Sequence, residues 1–254
     1  MGRQKIIGII GGMGPLASCD LYRKIIMNTE ASCDSDHLHV IIDSNTKIPD
    51  RTDAILYHGK SPLPMLIESA RKLEQMGAEI IIIACNTSHF FIDELRESIH
   101  CEVISIIEAV FEEVKRKKLQ SISLFATEGT AKTGIYQRVF KEGNLKLRVS
   151  DDEEQRIVTD VIYNGIKEGN YEYDGTAFQN LIIKQSLEGE QAFILGCTEL
   201  PIAVSLYHIK GNFIDPSLCL ARAAIVRAGG EVIPENASFN VLVERGTEER
   251  WKIG

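Results

Sequence analysis

The chain opens with a run of apolar residues, Lys5-Ile6-Ile7-Gly8-Ile9-Ile10, that is of strand length and stops at Gly11-Gly12-Met13-Gly14-Pro15. Residues 16–28 then carry apolar side chains at helical spacing, with Leu21, Ile25 and Ile26 on one side. A second strand is predicted at 38–43, followed by a polar loop containing Pro49 and Pro62-Leu63-Pro64. A helix over about 65–76 and a strand over 79–84 complete this half. Strands that are apolar at every position are buried on both faces, and their alternation with helices predicts a parallel sheet covered on both sides.

The second half repeats the pattern. A strand is predicted at 121–126, a turn at 127–130, a helix from 133 onward and a further strand at 192–196. Tyr22-Arg23-Lys24-Ile25 lines up with Tyr136-Gln137-Arg138-Val139, 114 residues later, and the run before Cys85 matches that before Cys197 at 112. Two nearly equal offsets point to an internal duplication. The expected fold is α/β, with two similar lobes, each a parallel β-sheet flanked by helices, related by a pseudo-twofold axis with the active site between them. The lobes are expected at 1–115 and 116–208. Residues 209–254 are expected to pack back on the first lobe, since 218–228 reads as an amphipathic helix. Phe239-Asn240-Val241-Leu242-Val243 alternates as a strand does, at a sheet edge or against another subunit.

The length of 254 residues suits two lobes of about 110 residues each. With 44% apolar and 25% charged residues the composition is that of a globular protein. A net charge of −8 argues against a general nucleic-acid binder, which needs a basic face. The dense basic run Lys115-Arg116-Lys117-Lys118 closes a predicted helix, where cations complement the helix dipole. The longest apolar block, 80–85, is too short to span a membrane, and the first apolar run is too short for a signal peptide. A cytoplasmic location is expected. The six cysteines show neither a C-x-x-C pair nor zinc-finger spacing, and no disulfide framework is expected in a reducing compartment. His37-Leu38-His39 has no third ligand motif nearby and reads as edge histidines rather than a metal site.

Two of the cysteines stand apart. Cys85 in IIACNTSH and Cys197 in ILGCTELP each end an apolar strand, the place where parallel α/β sheets bind ligands. Small hydrogen-bonding residues follow each: Asn86, Thr87 and Ser88 in one case, Thr198 and Glu199 in the other. Backbone N–H groups at a helix N-terminus hold carboxylates and favour thiolate over thiol, so a lowered pKa is expected at both cysteines. If the lobes face each other, the sulfurs lie on opposite sides of one cleft. One thiolate can then remove a proton from a carbon beside a carboxylate while the opposite thiol delivers one to the other face, inverting the centre. Cys19, Cys33, Cys101 and Cys219 read as small core hydrophobes.

GGMGP (11–15), PDRT (49–52), ACNT (84–87), FATEGT (125–130) and GCTELP (196–201) together resemble the cofactor-independent aspartate/glutamate racemase superfamily, over about residues 5–228. Glu199 stands where glutamate racemases carry histidine, so the resemblance favours the aspartate branch. It implies a two-lobed enzyme, often a homodimer, that acts on a small amino acid with no cofactor. By the same resemblance Cys85 and Cys197 are the paired acid/base thiols, and Asn86, Thr87 and Thr198 bind the α-carboxylate and amine. Arg51 and Lys167 resemble the family's cations for the second carboxylate, and Met13 lines the pocket. Glu199 either orients Cys197 or is structural. The expected substrate is aspartate, with a glutamate or broad-specificity racemase of the same superfamily as the alternative. Two rivals come from other classes. Gly12-Met13-Gly14-Pro15-Leu16-Ala17 matches G-x-G-x-x-A after a strand, with Asp43 ending the next, which outlines an NAD-dependent dehydrogenase. That reading explains neither the second cysteine motif nor the repeat. A non-catalytic two-lobed binding protein is the other rival.

Overall fold

The isoleucine-rich runs of the first half form the middle of a four-stranded parallel sheet. The computed structural model describes residues 3–234; the strand expected at 239–243 lies outside them. Strands β1 (Ile7–Gly11), β2 (Val40–Ser44), β3 (Ile80–Ile83) and β4 (Glu102–Val103) are ordered β2-β1-β3-β4, with Ile7 level with Ile80 and Ile10 with Ile83. They alternate with helices α1 (Pro15–Asn28), α2 (Arg51–Leu56), α3 (Leu63–Gln75), α4 (Ile92–Ser98) and α5 (Ile106–Arg116). The second half repeats this topology. Strands β5 (Ser121–Ala126), β6 (Lys146–Val149), β7 (Ala192–Gly196) and β8 (Phe213–Ile214) run parallel in the order β6-β5-β7-β8. Its helices are α6 (Glu128–Thr133), α7 (Ile135–Glu142), α8 (Asp152–Asp160), α9 (Thr176–Leu187), α10 (Leu200–Leu206) and α11 (Pro216–Arg227), with a π-helical segment Val161–Lys167 continuing α8.

Because side chains alternate across a strand, each sheet feeds two cores. Ile7, Ile9, Ile80 and Ile82 share one core with Ile122, Leu124, Ala192 and Ile194 of the other sheet. That shared core is filled by α1, α5, α7 and α11, through residues such as Leu21, Val110, Phe140 and Leu220. Ile10, Ile81 and Ile83 face outward to Leu66 and Leu73 of α3 and Leu95 of α4. Phe125, Phe193 and Leu195 face outward to Val158, Phe178 and Ala203. The molecule is thus helices, sheet, helices, sheet, helices, with the strands buried on both faces as their composition requires.

The structure departs from the sequence reading in several places, among them Cys19 and Cys33, which are exposed rather than core residues. The expected turn at 127–130 opens a helix: Thr127 caps α6, its Oγ1 accepting from the Thr130 N–H at 3.3 Å, and Gly134, at φ +70°, separates α6 from α7. The Tyr22/Tyr136 match does not relate equivalent positions, since Tyr22 is 38% exposed and Tyr136 fully buried. The buried pairs Leu21/Tyr136 and Ile25/Phe140 set the offset at 115 instead. Finally, Phe213–Ile214, expected in the C-terminal segment, are the edge strand β8. Helix α11 rests on α1 and α5, where buried Lys24 bridges Asp20 (2.5 Å) and Asp215 (2.6 Å).

Candidate active site

The pocket forms where the carboxyl ends of the two sheets meet. Cys85 and Cys197 follow the central strands β3 and β7, and they are only 5% and 6% exposed. Both line one small pocket. Met13, Arg51, Asn86, Thr87, Lys167, Thr198 and Glu199, the other residues nominated from sequence, line the same space.

Asp50 caps α2, its carboxylate accepting from the Asp53 N–H at 2.9 Å, and this turns Arg51 back toward the glycine loop. The Arg51 guanidinium donates to the carbonyls of Pro49 (3.0 Å) and Met13 (3.2 Å), while its Nε is buried without a partner among the described residues. Burial opposes its charge, but Cys85, Asp50 and Glu199 outweigh that, and its pKa is raised. Lys167 reaches the pocket from the end of the π-helical segment, its ammonium 4.7 Å from the centre of the Tyr163 ring. Burial of the ammonium is again outweighed, here by Glu199 and Cys197, so its pKa is also raised.

The Cys197 thiol donates to Glu199 Oε2 at 2.9 Å, and the Thr198 hydroxyl donates to the same oxygen at 3.3 Å. Burial and the Glu199 carboxylate push the Cys197 pKa well above its ordinary value, with Lys167 pulling the other way. The lowered pKa expected at Cys197 is therefore corrected. The helix that follows, α10, has only 7 residues and carries a carboxylate at its N-cap, so its positive end is weak and already answered. Asn86 and Thr87 are less free than the sequence suggests. The Tyr136 hydroxyl donates to Asn86 Oδ1 at 2.6 Å, and the Thr87 hydroxyl joins those of Thr127 (3.0 Å) and Thr130 (2.8 Å).

Asp50, Thr52, Thr127 and Tyr163 also line the pocket and were not nominated. The first three lie inside the quoted PDRT and FATEGT motifs, and Tyr163 stands one helical turn before Lys167. His89 was missed too. It is buried behind Cys85, whose carbonyl bonds its Nδ1 at 2.9 Å, while the Ile106 N–H donates to Nε2 at 3.0 Å.

The glycines of the G-x-G-x-x-A outline serve internal packing. Gly12 sits at φ +87°, where a Cβ would fall 2.4 Å from the Asn45 backbone, and its N–H donates to Ser18 Oγ at 2.9 Å. Gly14 faces Glu199, whose Oε1 would lie 3.3 Å from a Cβ. Among the described residues no group of three or more His, Cys, Asp or Glu is placed to hold a metal, and no helix is long and apolar enough to cross a membrane.

The profile of the Asp/Glu/hydantoin racemase family matches residues 10–224. Across 87% of its length the chain is 28% identical to a broad-specificity amino-acid racemase of Bacillus subtilis (strain 168), covering 96% of that protein. Picrophilus torridus aspartate racemase superposes with a TM-score of 0.77 at 28% identity, over 90% of this chain and 96% of that one. An aspartate racemase homologue from Pyrococcus horikoshii OT3 gives 0.71 at 28% identity, over 89% and 99% of the two chains.

Proposed function

The chain belongs to the Asp/Glu/hydantoin racemase family and is an amino-acid racemase; from that premise we propose that it interconverts L- and D-aspartate through Cys85 and Cys197, with no cofactor. The observation that carries the reading is the convergence of two thiols, each ending an equivalent strand of the duplicated sheet, on one small pocket that also holds Arg51 and Lys167. In one direction a thiolate takes the α-proton, leaving the electron pair of the broken C–H bond on a carbanion delocalised into the carboxylate. The opposite thiol then forms the new C–H bond on the other face and is left as thiolate. The reverse direction exchanges the roles.

Glu199 suits this cycle because it accepts the hydrogen bond of the buried Cys197 thiol at 2.9 Å, which orients the S–H and favours the acid form of this cysteine. Met13 closes the wall on the first-lobe side, its Sδ accepting from Ser88 Oγ at 3.5 Å. Arg51 and Lys167 answer the second carboxylate of a dicarboxylic amino acid, while Asn86, Thr87 and Thr198 serve the α-carboxylate and amine. The broad-specificity relative motivates the alternative, a racemase that accepts several amino acids.

One experiment addresses both substrate and mechanism. Pure enantiomers of a panel of amino acids are incubated in deuterated water with dialysed protein, without added pyridoxal phosphate, and both optical purity and α-deuterium are followed. Aspartate is expected to racemise fastest. Replacing either cysteine with alanine removes acid or base catalysis worth typically ~10²–10⁴-fold. Cys85→Ala should still exchange the α-proton of one enantiomer without racemising it, and Cys197→Ala that of the other. Near-native racemisation by either variant would refute the two-thiol mechanism, and equal rates across the panel would refute the aspartate assignment.

A further inference from the structure

Asn86 has two unlike ends. Its Oδ1 accepts from the Tyr136 hydroxyl at 2.6 Å, whereas its Nδ2 is shielded from solvent and has no partner among the described residues. The residue itself is only 2% exposed and lines the pocket. A buried amide N–H₂ without an acceptor is costly, and one in a pocket wall is matched only when an acceptor enters. An asparagine amide can turn over and present either end, so something must hold this one.

Tyr136 is placed to do so. It is fully buried on α7 of the second lobe, tilted against Phe140 with ring centres 6.2 Å apart, while Asn86 follows β3 of the first lobe. Asn86 Oδ1 is the acceptor the structure gives its phenol proton; a reversed amide would set N–H₂ against the hydroxyl and leave that proton unmatched. Burial, with Cys219, Asp215 and Cys197 nearby, raises the phenol's pKa well above its ordinary value and keeps it a donor.

We propose that Tyr136 is a positioning residue that locks the Asn86 amide so that Nδ2 donates to the carboxylate of the amino-acid substrate, and that the lock closes across the two lobes. The inference rests on the racemase reading above. It gives a role to a buried tyrosine that the acid/base pair does not use.

The test compares the wild type with Tyr136→Phe, Asn86→Ala, their combination and Asn86→Asp, measuring KM, kcat and melting temperature with aspartate. Loss of one well-oriented hydrogen bond to a charged group corresponds to about tenfold in affinity. Tyr136→Phe should therefore raise KM about tenfold with a smaller change in kcat, and should add almost nothing to Asn86→Ala. Asn86→Asp keeps the acceptor for Tyr136 but loses the donor, so it should bind aspartate at least as poorly as Asn86→Ala. Additive losses in the double variant, or native KM in Asn86→Asp, would overturn the lock, and the Asn86→Asp arm decides the matter even if Tyr136→Phe folds poorly. A wild-type protein that fails to racemise aspartate would instead overturn the function reading.

Discussion

His89 shows how one buried side chain fixes the backbone beneath the site. The Ile106 N–H donates to its Nε2, so its own proton sits on Nδ1 and donates to the Cys85 carbonyl, tying the end of β3 to the start of α5. Burial first, and Arg96 second among the lowering influences, depress its pKa from 6.5 to about 4. The folded protein therefore binds this proton less readily than the unfolded chain does. The stabilisation is complete above pH 6.5 and is lost as pH falls toward 4. Its full size is about 3 kcal/mol. His89→Gln should flatten the acid limb of a plot of denaturation midpoint against pH in this window; curves that remain parallel would show that another group titrates there. At Cys197 the shift is upward, since burial first and Glu199 second hold its proton on. Glu199→Gln should lower the pH at which the Cys197 thiolate forms, read from ultraviolet thiolate absorbance or alkylation rate in a background where the other five cysteines are replaced by alanine. An unchanged profile would mean that burial alone sets this thiol.

Between elements, polar ties do what apolar packing cannot, which is to choose one register. Lys24 of α1 is 8% exposed and bridges Asp20 and Asp215, the latter also capping α11 through the Ser217 and Leu218 N–H groups. Burial of its ammonium is outweighed by Asp215 and Asp20, which raise its pKa. Lys24→Met would take the cation from Asp215 and one of two cations from Asp20, which keeps Arg23 at 2.8 Å. The variant should lose about 3–5 kcal/mol at neutral pH. Adding Asp215→Asn should recover part of the deficit, because it removes the uncompensated charge while keeping a capping oxygen. A deficit that the second substitution leaves unchanged would show that the loss is one of packing. Glu154, 3% exposed, plays a similar part between β6, α8 and α9, accepting from Arg148 (2.8 Å), Lys184 (3.2 Å) and Gln185 (3.0 Å).

For the whole molecule, the spacing of the lobes is set near the pocket by the absence of a side chain. A Cβ on Gly129 of α6 would lie 2.7 Å from Thr52 Oγ1 and 3.1 Å from Thr87 Cγ2, both in first-lobe residues that line the pocket. Beside this contact the Tyr57 hydroxyl donates to Glu128 at 2.8 Å. Gly129→Val should hold the lobes apart. Overpacking of this kind typically costs about 1–3 kcal/mol. Because misplacing reacting groups by an ångström costs on the order of 100-fold in rate, racemisation should fall much further than melting temperature. Native kcat/KM in this variant would place the control of lobe spacing elsewhere.

Much of this was legible in the chain itself. Ile80-Ile81-Ile82-Ile83 and Ala192-Phe193-Ile194-Leu195 announce strands buried on both faces, because the burden of a two-sided core falls on every residue in turn. The motifs at their ends name positions that line one pocket, since a strand's carboxyl end is a local feature of sequence. Two-residue strands such as β4 and β8 carry too little pattern to read, and they exist only because a neighbour offers an edge. The partner of Asn86 stands 50 residues away, and its side-chain orientation depends on a hydroxyl from the other lobe. The raised pKa of Cys197 likewise comes from burial and from a carboxylate folded onto it, against what its helix alone would do. Periodicity is local, so the sequence by itself determined the central strands, several of the helices beside them and the duplication. Charge and hydrogen bonding act through space, so only the tertiary structure decided which groups in the pocket are paired, which are left unmatched and how tightly each holds its proton.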